Sequence, residues 1–564
     1  MPRMPEHHPF RFIAYFIVLP ILCGAFLSII YNYIAIPYLT SKNYDYYNIL
    51  FIMALVLVVF LGLCLLLLFL SIWRRLRDKL RGIREFCFFM FLSVVCFFTF
   101  AGLLIGPTSL ILGKRFPSKS KYPLKQLRPV VINNANVVDV ENRVVLRNMT
   151  VLFDHGIIRE IGGILDVQTP PNAIVIDAGG KTLLPGLIDA HVHLGLAGKA
   201  ELYYRSFFVE SLEQRMERNA RLTIESGVTT VREMPDYFDS SFELRKAIDQ
   251  GYISGPKLLV SGPTLAQYGG YLGWSTFSHI VRTKGDVRSA VNSNLAKGSD
   301  FLIIPTPDST LLREGERDIT EDQFEEAINH AHELGLEVTA HTMWYNGAMM
   351  AVDKGIDGLE HMPSIMEPVK GKLVDKVLRE SIYIIPTVFA YNNFNEIMHN
   401  PDTLADNPEF KRRFGPSYEI ALSSARQYND LTISEDEEVR NSTEVLDTAV
   451  TKYFKKSFLK FADAGVTVGV GTDAGDLLMP HGWISKELEK YVEYGMSPME
   501  AIVAATYNNA FVLNKVKEIG RVKPGLKADL VLIEGDPTAN INDIEKVDTV
   551  FKDGVIVYKK GNAD

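Results

Sequence analysis

The sequence predicts an α/β protein built on a (β/α)8 TIM barrel, flanked by a composite β-sandwich domain drawn from both ends of the chain and preceded by three transmembrane helices. Three observations carry this prediction. Long charge-free apolar runs fill the first 112 residues, short alternating runs open and close the remainder, and between them apolar strands alternate with helical stretches.

The apolar runs are Phe12–Ile36, Ile49–Trp73 and Phe86–Gly106. Each is close to the ~20 residues needed to cross a bilayer core. A signal peptide supplies one short run with a cleavage site, so three runs predict a permanent anchor at 1–112, touching the bilayer through residues 12–106. Buried core helices of this length would keep a polar face, and these have none. They also hold no Asp, Glu, His, Lys or Arg, which speaks against an ion or proton path. The loop RRLRDKLRGIRE (74–85) has six basic residues and is retained inside, whereas PYLTSKNYDYY has only Lys42 against Asp45 and reads as external. That makes a multi-pass protein of the cell membrane with its catalytic domain extracytoplasmic. The six basic residues of 113–128 pull the other way.

Charge divides the chain at the same place. Residues 1–128 hold 15 basic and 4 acidic residues, a balance of +11, against 44 and 63 in the rest, a balance of −19. An acidic body is a poor partner for nucleic acid. All four cysteines (Cys23, Cys64, Cys87 and Cys96) fall in the apolar runs, so the body has no disulfide, thiolate ligand or cysteine nucleophile.

A Lys/Pro/Ser-rich linker at 113–128 leads into residues 129–182, where VVINNANVVDV and RVVLRNMTVLFDHGIIREIGG alternate apolar and polar side chains. Residues 516–564 behave alike, in ADLVLIEG and VDTVFKDGVIVYKKG, and the two segments predict one composite β-domain. Between them, residues 183–515 supply LLPGLIDAHVH, GVTTVRE, PKLLVSG, DFLIIP, LEVTAH, IDGLEH, IYIIPT and TVGVGTD, separated by helical patterns. Eight strand–helix units in series predict the barrel. The segment 390–445 exceeds an ordinary connection and is rich in charge and Asn, which predicts a helical lid over the barrel mouth.

In such a barrel the chemistry sits at the C-terminal ends of the strands. Strand one ends with His191 and His193, whose side chains face the same way because alternate strand residues do. Strand five ends with His341, strand six with His361 and strand eight with Asp473. Any one of them reads as an ordinary rim residue. Five imidazole and carboxylate groups on one rim point instead to Zn²⁺ or a similar divalent ion with an open position for water. Asp473 would then touch both metal and water, take the proton and pass it to a leaving amine. Tyr268 and Tyr271, in QYGGYLGW after strand three, either face the substrate or pack on the rim.

With these residues in place, the chain resembles the amidohydrolase superfamily, in its imidazolonepropionase-like branch that includes prolidase-type dipeptidases. The resemblance covers about residues 129–560 and rests on LLPGLIDAHVHL, SGVTTVRE, GIDGLEH, GVGTDAG and the tail PMEAIVAATYNNAF. It implies a (β/α)8 barrel with a composite β-domain, and metal-activated hydrolysis of an amide, lactam or related bond. Binuclear members carry a carboxylated lysine at the end of strand four, where this chain has Ile303 in GSDFLIIP. The expectation is therefore one metal per chain, held by His191, His193, His341 and Asp473. His361 would stand beside it or polarise the substrate carbonyl; the alternative is a second metal held weakly by His341 and His361. Many relatives also have a second histidine two residues after the strand-five one, and here Met343 occupies that place. The substrate of a relative is therefore not transferable.

Together these readings predict a membrane-anchored, metal-dependent hydrolase that cleaves a C–N bond in a small molecule or short peptide. A deaminase of a small heterocycle would use the same ligands. A degenerate barrel kept as a membrane-linked binding or sensing module is the non-enzymatic alternative, against which the four retained histidines and Asp473 argue. The sequence leaves the oligomeric state open.

Overall fold

The computed structural model describes residues 128–561, apart from 197, 199–208, 269, 274–276, 308–318, 366 and 433–436. The three apolar runs lie outside the described residues. Among those described, no helix is long and apolar enough to cross a membrane.

The chain begins with five strands, β1 (Val130–Asp139), β2 (Val144–Asp154), β3 (Ile157–Gly163), β4 (Ile174–Asp177) and β5 (Thr182–Pro185). Barrel strands follow: β6 (Leu187–Val192), β7 (Val228–Glu233) and β8 (Lys257–Val260). A small parallel pair, β9 (Thr264–Ala266) and β10 (Ser278–Ile280), precedes β11 (Phe301–Pro305), β12 (Glu337–His341), β13 (Gly358–Glu360) and β14 (Tyr383–Ile385). The last strands are β15 (Leu530–Ile533), β16 (Val547–Lys552) and β17 (Val555–Lys559).

The outer eight strands form one sheet, ordered β17-β16-β15-β5-β1-β2-β3, with β4 also on β1. The two ends of the chain thus meet in one sheet, through β5 and β15. Register shifts on either side of Ala135 interrupt β1, and Asn134 takes a left-handed φ of 56°. Bulges bend a strand. The first part of β1 consequently pairs with β4 and a later part with β5. The bent sheet encloses its own core of Val130, Ile132, Phe153, Leu183, Leu530 and Phe551.

In the barrel, β6-β7-β8 and β11-β12-β13-β14 are parallel runs. Asp300 joins them: its N–H donates to Val260 O at 2.8 Å, and its Oδ2 accepts from Val260 N at 2.8 Å. The eighth position, TVGVGTD, is held by the bridge Ile384↔Val468 and by Ala190 N–H donating to Val470 O at 2.9 Å. It forms no regular ladder, for a visible reason. Val470 N–H donates to the Asn509 side chain at 2.9 Å, and that amide donates in turn to Ile188 O at 2.6 Å and Val470 O at 2.8 Å. The strand approaches closely enough that a Cβ on Gly471 would meet the His191 Cβ at 2.6 Å.

Helices pack outside the barrel. Those starting at Leu212, Lys284, Glu321 and Pro498 open with reciprocal capping boxes, such as Ser211 with Gln214 and Thr320 with Gln323. Such caps satisfy end N–H groups that would otherwise lack partners. Leu212, Met216 and Ala220, four residues apart, bury one face of the first of these helices. The expected lid segment is helical, with Val388–His399, Pro408–Phe414, Tyr418–Thr432 and Glu437–Thr448. It packs on the loop that follows Asp473: Phe410 meets Trp483 edge-on at 4.8 Å, and Asn393 donates to Leu478 O at 3.5 Å.

Candidate metal centre

Each barrel strand delivers its terminal residues to the same rim, and the loops that leave it are turned sharply inward. His361 and Asp473 adopt left-handed φ values of 67° and 54°. A non-glycine residue there costs roughly 1 kcal/mol or more, so the surrounding structure must enforce the conformation. The turns are fixed by His361 N–H donating to Ile385 O at 2.8 Å and Asp473 N–H donating to His191 O at 2.9 Å.

The five groups expected at the rim converge. Potential ligand atoms of His191, His361 and Asp473, all buried, lie within 4.8 Å of one another. Asp473 Oδ1 is 3.3 Å from His191 Nε2 and 3.5 Å from His193 Nε2. The His341 ring lies 4.5 Å from that of His361, centre to centre, and His361 lies 4.8 Å from His191. His361 thus lies in the same buried cluster as His191 and Asp473.

Three of the imidazoles are held from behind. His191 Nδ1 bonds Glu360 Oε2 at 2.8 Å, His193 Nδ1 bonds Pro235 O at 3.1 Å, and His361 Nδ1 bonds Thr387 Oγ1 at 2.8 Å. Anchoring Nδ1 sets the ring orientation and leaves Nε2 as the ligand atom, which is how metal-binding histidines are usually held. Asp189, two residues before His191 and on the same face of β6, accepts from Thr472 N at 3.0 Å and Thr472 Oγ1 at 2.6 Å. It ties the His-x-His end to the Asp473 loop, and burial pushes its carboxyl up to about 6.

The electrostatics suit a cation. Burial opposes a charge on His191, but its bonds to Asp473 and Glu360 outweigh burial and push the imidazole up to about 9. Burial would raise the Asp473 carboxyl, but His191 and His193 hold it well below the usual carboxylate range. Burial drives His361 the other way, well below the ordinary imidazole value, helped by His341. An ionised carboxylate is a ligand form, and a divalent ion in place of the His191 proton would answer the demand for positive charge between Asp473 and Glu360. The donor set fits Zn²⁺ or a similar metal.

At the strand-four position the rim is apolar, and Ile303 is buried there with Met234 and Phe301. Met343 is buried and accepts the Tyr391 hydroxyl at 3.2 Å on its sulfur. Tyr271 stacks on His341 at 4.7 Å and 24°, whereas Tyr268 is 48% exposed. Sequence reasoning missed Asp189, Glu360, Thr387 and Asn509. The first two were within reach, since Asp189 shares the face of His191 and Glu360 precedes His361 in GLEH.

The amidohydrolase family pattern matches residues 182–557. The ochratoxinase of Aspergillus niger is 25% identical over 418 residues, covering 67% of this chain and 76% of the relative. The imidazolonepropionase of Clostridium tetani is 24% identical over 471 residues, covering 76% and 98%. Among solved structures, a Xaa-Pro dipeptidase with methionine bound in its active site has a TM-score of 0.61 at 25% identity, covering 76% of this chain and 100% of its own. With the family pattern spanning more than half of its length, the chain belongs to the amidohydrolase family and is a hydrolase acting on carbon–nitrogen bonds.

Proposed function

We propose that this chain is a membrane-anchored hydrolase that uses one divalent metal to cleave an amide, peptide or cyclic amide bond in a small substrate. The observation that carries this reading is the convergence of His191, His361 and Asp473, with His193 3.5 Å from Asp473, on one buried spot of the rim. His191, His193, His341 and Asp473 are the proposed ligands, with His361 directed at the same spot. A metal held there would lend Lewis acidity to a substrate carbonyl and to a water molecule.

The chain's own groups do the rest. Asp473 accepts a proton from the attacking water and returns it to the departing nitrogen, which keeps the reaction neutral overall. His361, whose Nδ1 is held by Thr387, presents Nε2 to the carbonyl oxygen. Tyr271 and Tyr391 lie against the His341 and His361 rings and form an aromatic wall that limits water. Ochratoxinase, Xaa-Pro dipeptidase and imidazolonepropionase relatives point to a small amide-containing substrate. A single metal follows from Ile303, since no strand-four lysine is present to bridge a second. Residues 12–106 are the proposed anchor, with the hydrolase on the outer face.

The test is metal content of the full-length protein by elemental mass spectrometry, beside an Asp473→Asn variant. About one tightly held metal per chain, weakened in the variant, is expected. Two tight metals would overturn the single-metal scheme, and none in a folded protein would overturn the hydrolase mechanism.

A further inference from the structure

The polar contacts of His191 do not stop at Glu360. Glu360 Oε2 receives His191 Nδ1, and its Oε1 receives Arg232 Nη2 together with the Thr339 hydroxyl at 2.6 Å. Arg232 spends its remaining donors on two further partners: Nε donates to Ala190 O at 2.8 Å and Nη1 donates to the Tyr383 hydroxyl oxygen at 2.7 Å. The Tyr383 hydroxyl donates onward to Glu337 Oε1 at 2.5 Å. Glu337 and Tyr383 begin their strands. They line a cavity of about 610 Å³ at the end of the barrel opposite the metal centre. The chain of contacts therefore runs the length of the barrel interior.

Packing holds this string in one arrangement. The Arg232 guanidinium lies 5.0 Å from the Phe301 ring centre and 5.4 Å from that of Tyr383. Gly358 makes room for the tyrosine, since a Cβ there would sit 2.0 Å from its ring. Arg232 and Glu360 are fully buried. Such a pair gives little net stability compared with apolar residues of the same volume. Its directional contacts have another use. Arg232 grips the backbone oxygen of the residue before His191, and it also grips the carboxylate that orients the His191 ring. One guanidinium thus fixes both the backbone and the ring of a proposed ligand.

We propose that Arg232, Glu360, Tyr383 and Glu337 form a positioning relay that holds His191 in ligand geometry from the far end of the barrel. Arg232 is its keystone. The relay rests on the metal-centre reading above. None of Arg232, Tyr383 and Glu337 touches the centre, so their influence on it passes through Glu360 and Ala190.

The experiment is chelator competition for Zn²⁺ on the full-length protein, with wild type, Arg232→Lys and Tyr383→Phe. Circular dichroism monitors the fold, and the visible spectrum of the Co²⁺-loaded protein monitors ligand geometry. Lysine carries its three donors on one nitrogen and cannot reproduce the planar fork that reaches Ala190, Tyr383 and Glu360. Arg232→Lys should therefore weaken Zn²⁺ binding about 10- to 100-fold, the usual range for partners behind a metal ligand. Tyr383→Phe should weaken it about threefold, below that range because it acts only through Arg232. Both should alter the Co²⁺ spectrum with the fold unchanged. Wild-type affinity and spectrum in both variants overturn the relay. If Arg232→Lys does not fold, Tyr383→Phe decides alone, and wild-type behaviour there overturns it. A wild type that binds no Zn²⁺ overturns the metal-centre reading and the relay with it, so the two failures are told apart by the wild-type measurement.

Discussion

The barrel mouth has two unlike walls. Strands one, five, six and eight contribute imidazoles and a carboxylate, three of the rings held from behind by an oxygen atom. The strand-four wall contributes Ile303, packed with Met234 and Phe301. On the single-metal reading proposed above, a second metal would need an anionic bridge on the side where the aliphatic residues stand.

Substitutions on the two walls should fail in different ways. On the polar wall, Asp473→Asn removes the proposed base and a ligand, and kcat/KM should fall on the order of 10³-fold or more; loss under tenfold in a steady-state assay would remove Asp473 from the chemistry. On the strand-four wall, Ile303→Ala should cost about 2–4 kcal/mol of stability through the cavity it leaves. Metal stoichiometry should stay as in wild type, and a change in metal content would break the contrast. A subtler cut on the polar wall is Thr387→Val, which deprives His361 Nδ1 of its 2.8 Å partner. A fall in kcat of about tenfold is expected in a steady-state assay, with metal affinity close to wild type because His361 is directed at the carbonyl oxygen.

The smallest effect lies at the far end of the barrel. Burial pushes the Glu337 carboxyl up from 4.5 to about 7, against the pull of Tyr383 and Arg232. A raised carboxyl binds its proton more tightly in the folded chain. Its contribution to stability is complete below pH 4.5 and is lost as pH rises towards 7. Tm measured across that window should decline less steeply in Glu337→Gln than in wild type. Parallel curves would mean that Glu337 titrates normally.

Much of this architecture was legible because it follows from period and position. Apolar runs ending in His or Asp mark barrel strands and their functional ends without reference to packing. What stayed hidden was held by side chains. Asn509 substitutes for ladder bonds at the eighth strand, and no local pattern announces an amide reaching across the sequence to Ile188. Arg232 and Glu360 sit near the ends of short strands, where a charge is visible but its partner, 128 residues away, is not. Alternation gives the faces of a strand and says nothing of the bulge near Asn134 that bends β1.

The outer sheet sets the order in which the enzyme can come into being. β5 takes its antiparallel partner from β15, so Thr182 waits for Ile533 and Pro185 for Leu530. Throughout synthesis of the intervening barrel, β5 lacks that partner, and Asn509 is also needed to join strand one to strand eight. Contacts so distant in sequence form slowly and late. During translation the hydrolase is thus a chain with an unfinished sheet until its final strands emerge. A ribosome that stalls before Leu530 leaves that edge open to pairing with another chain.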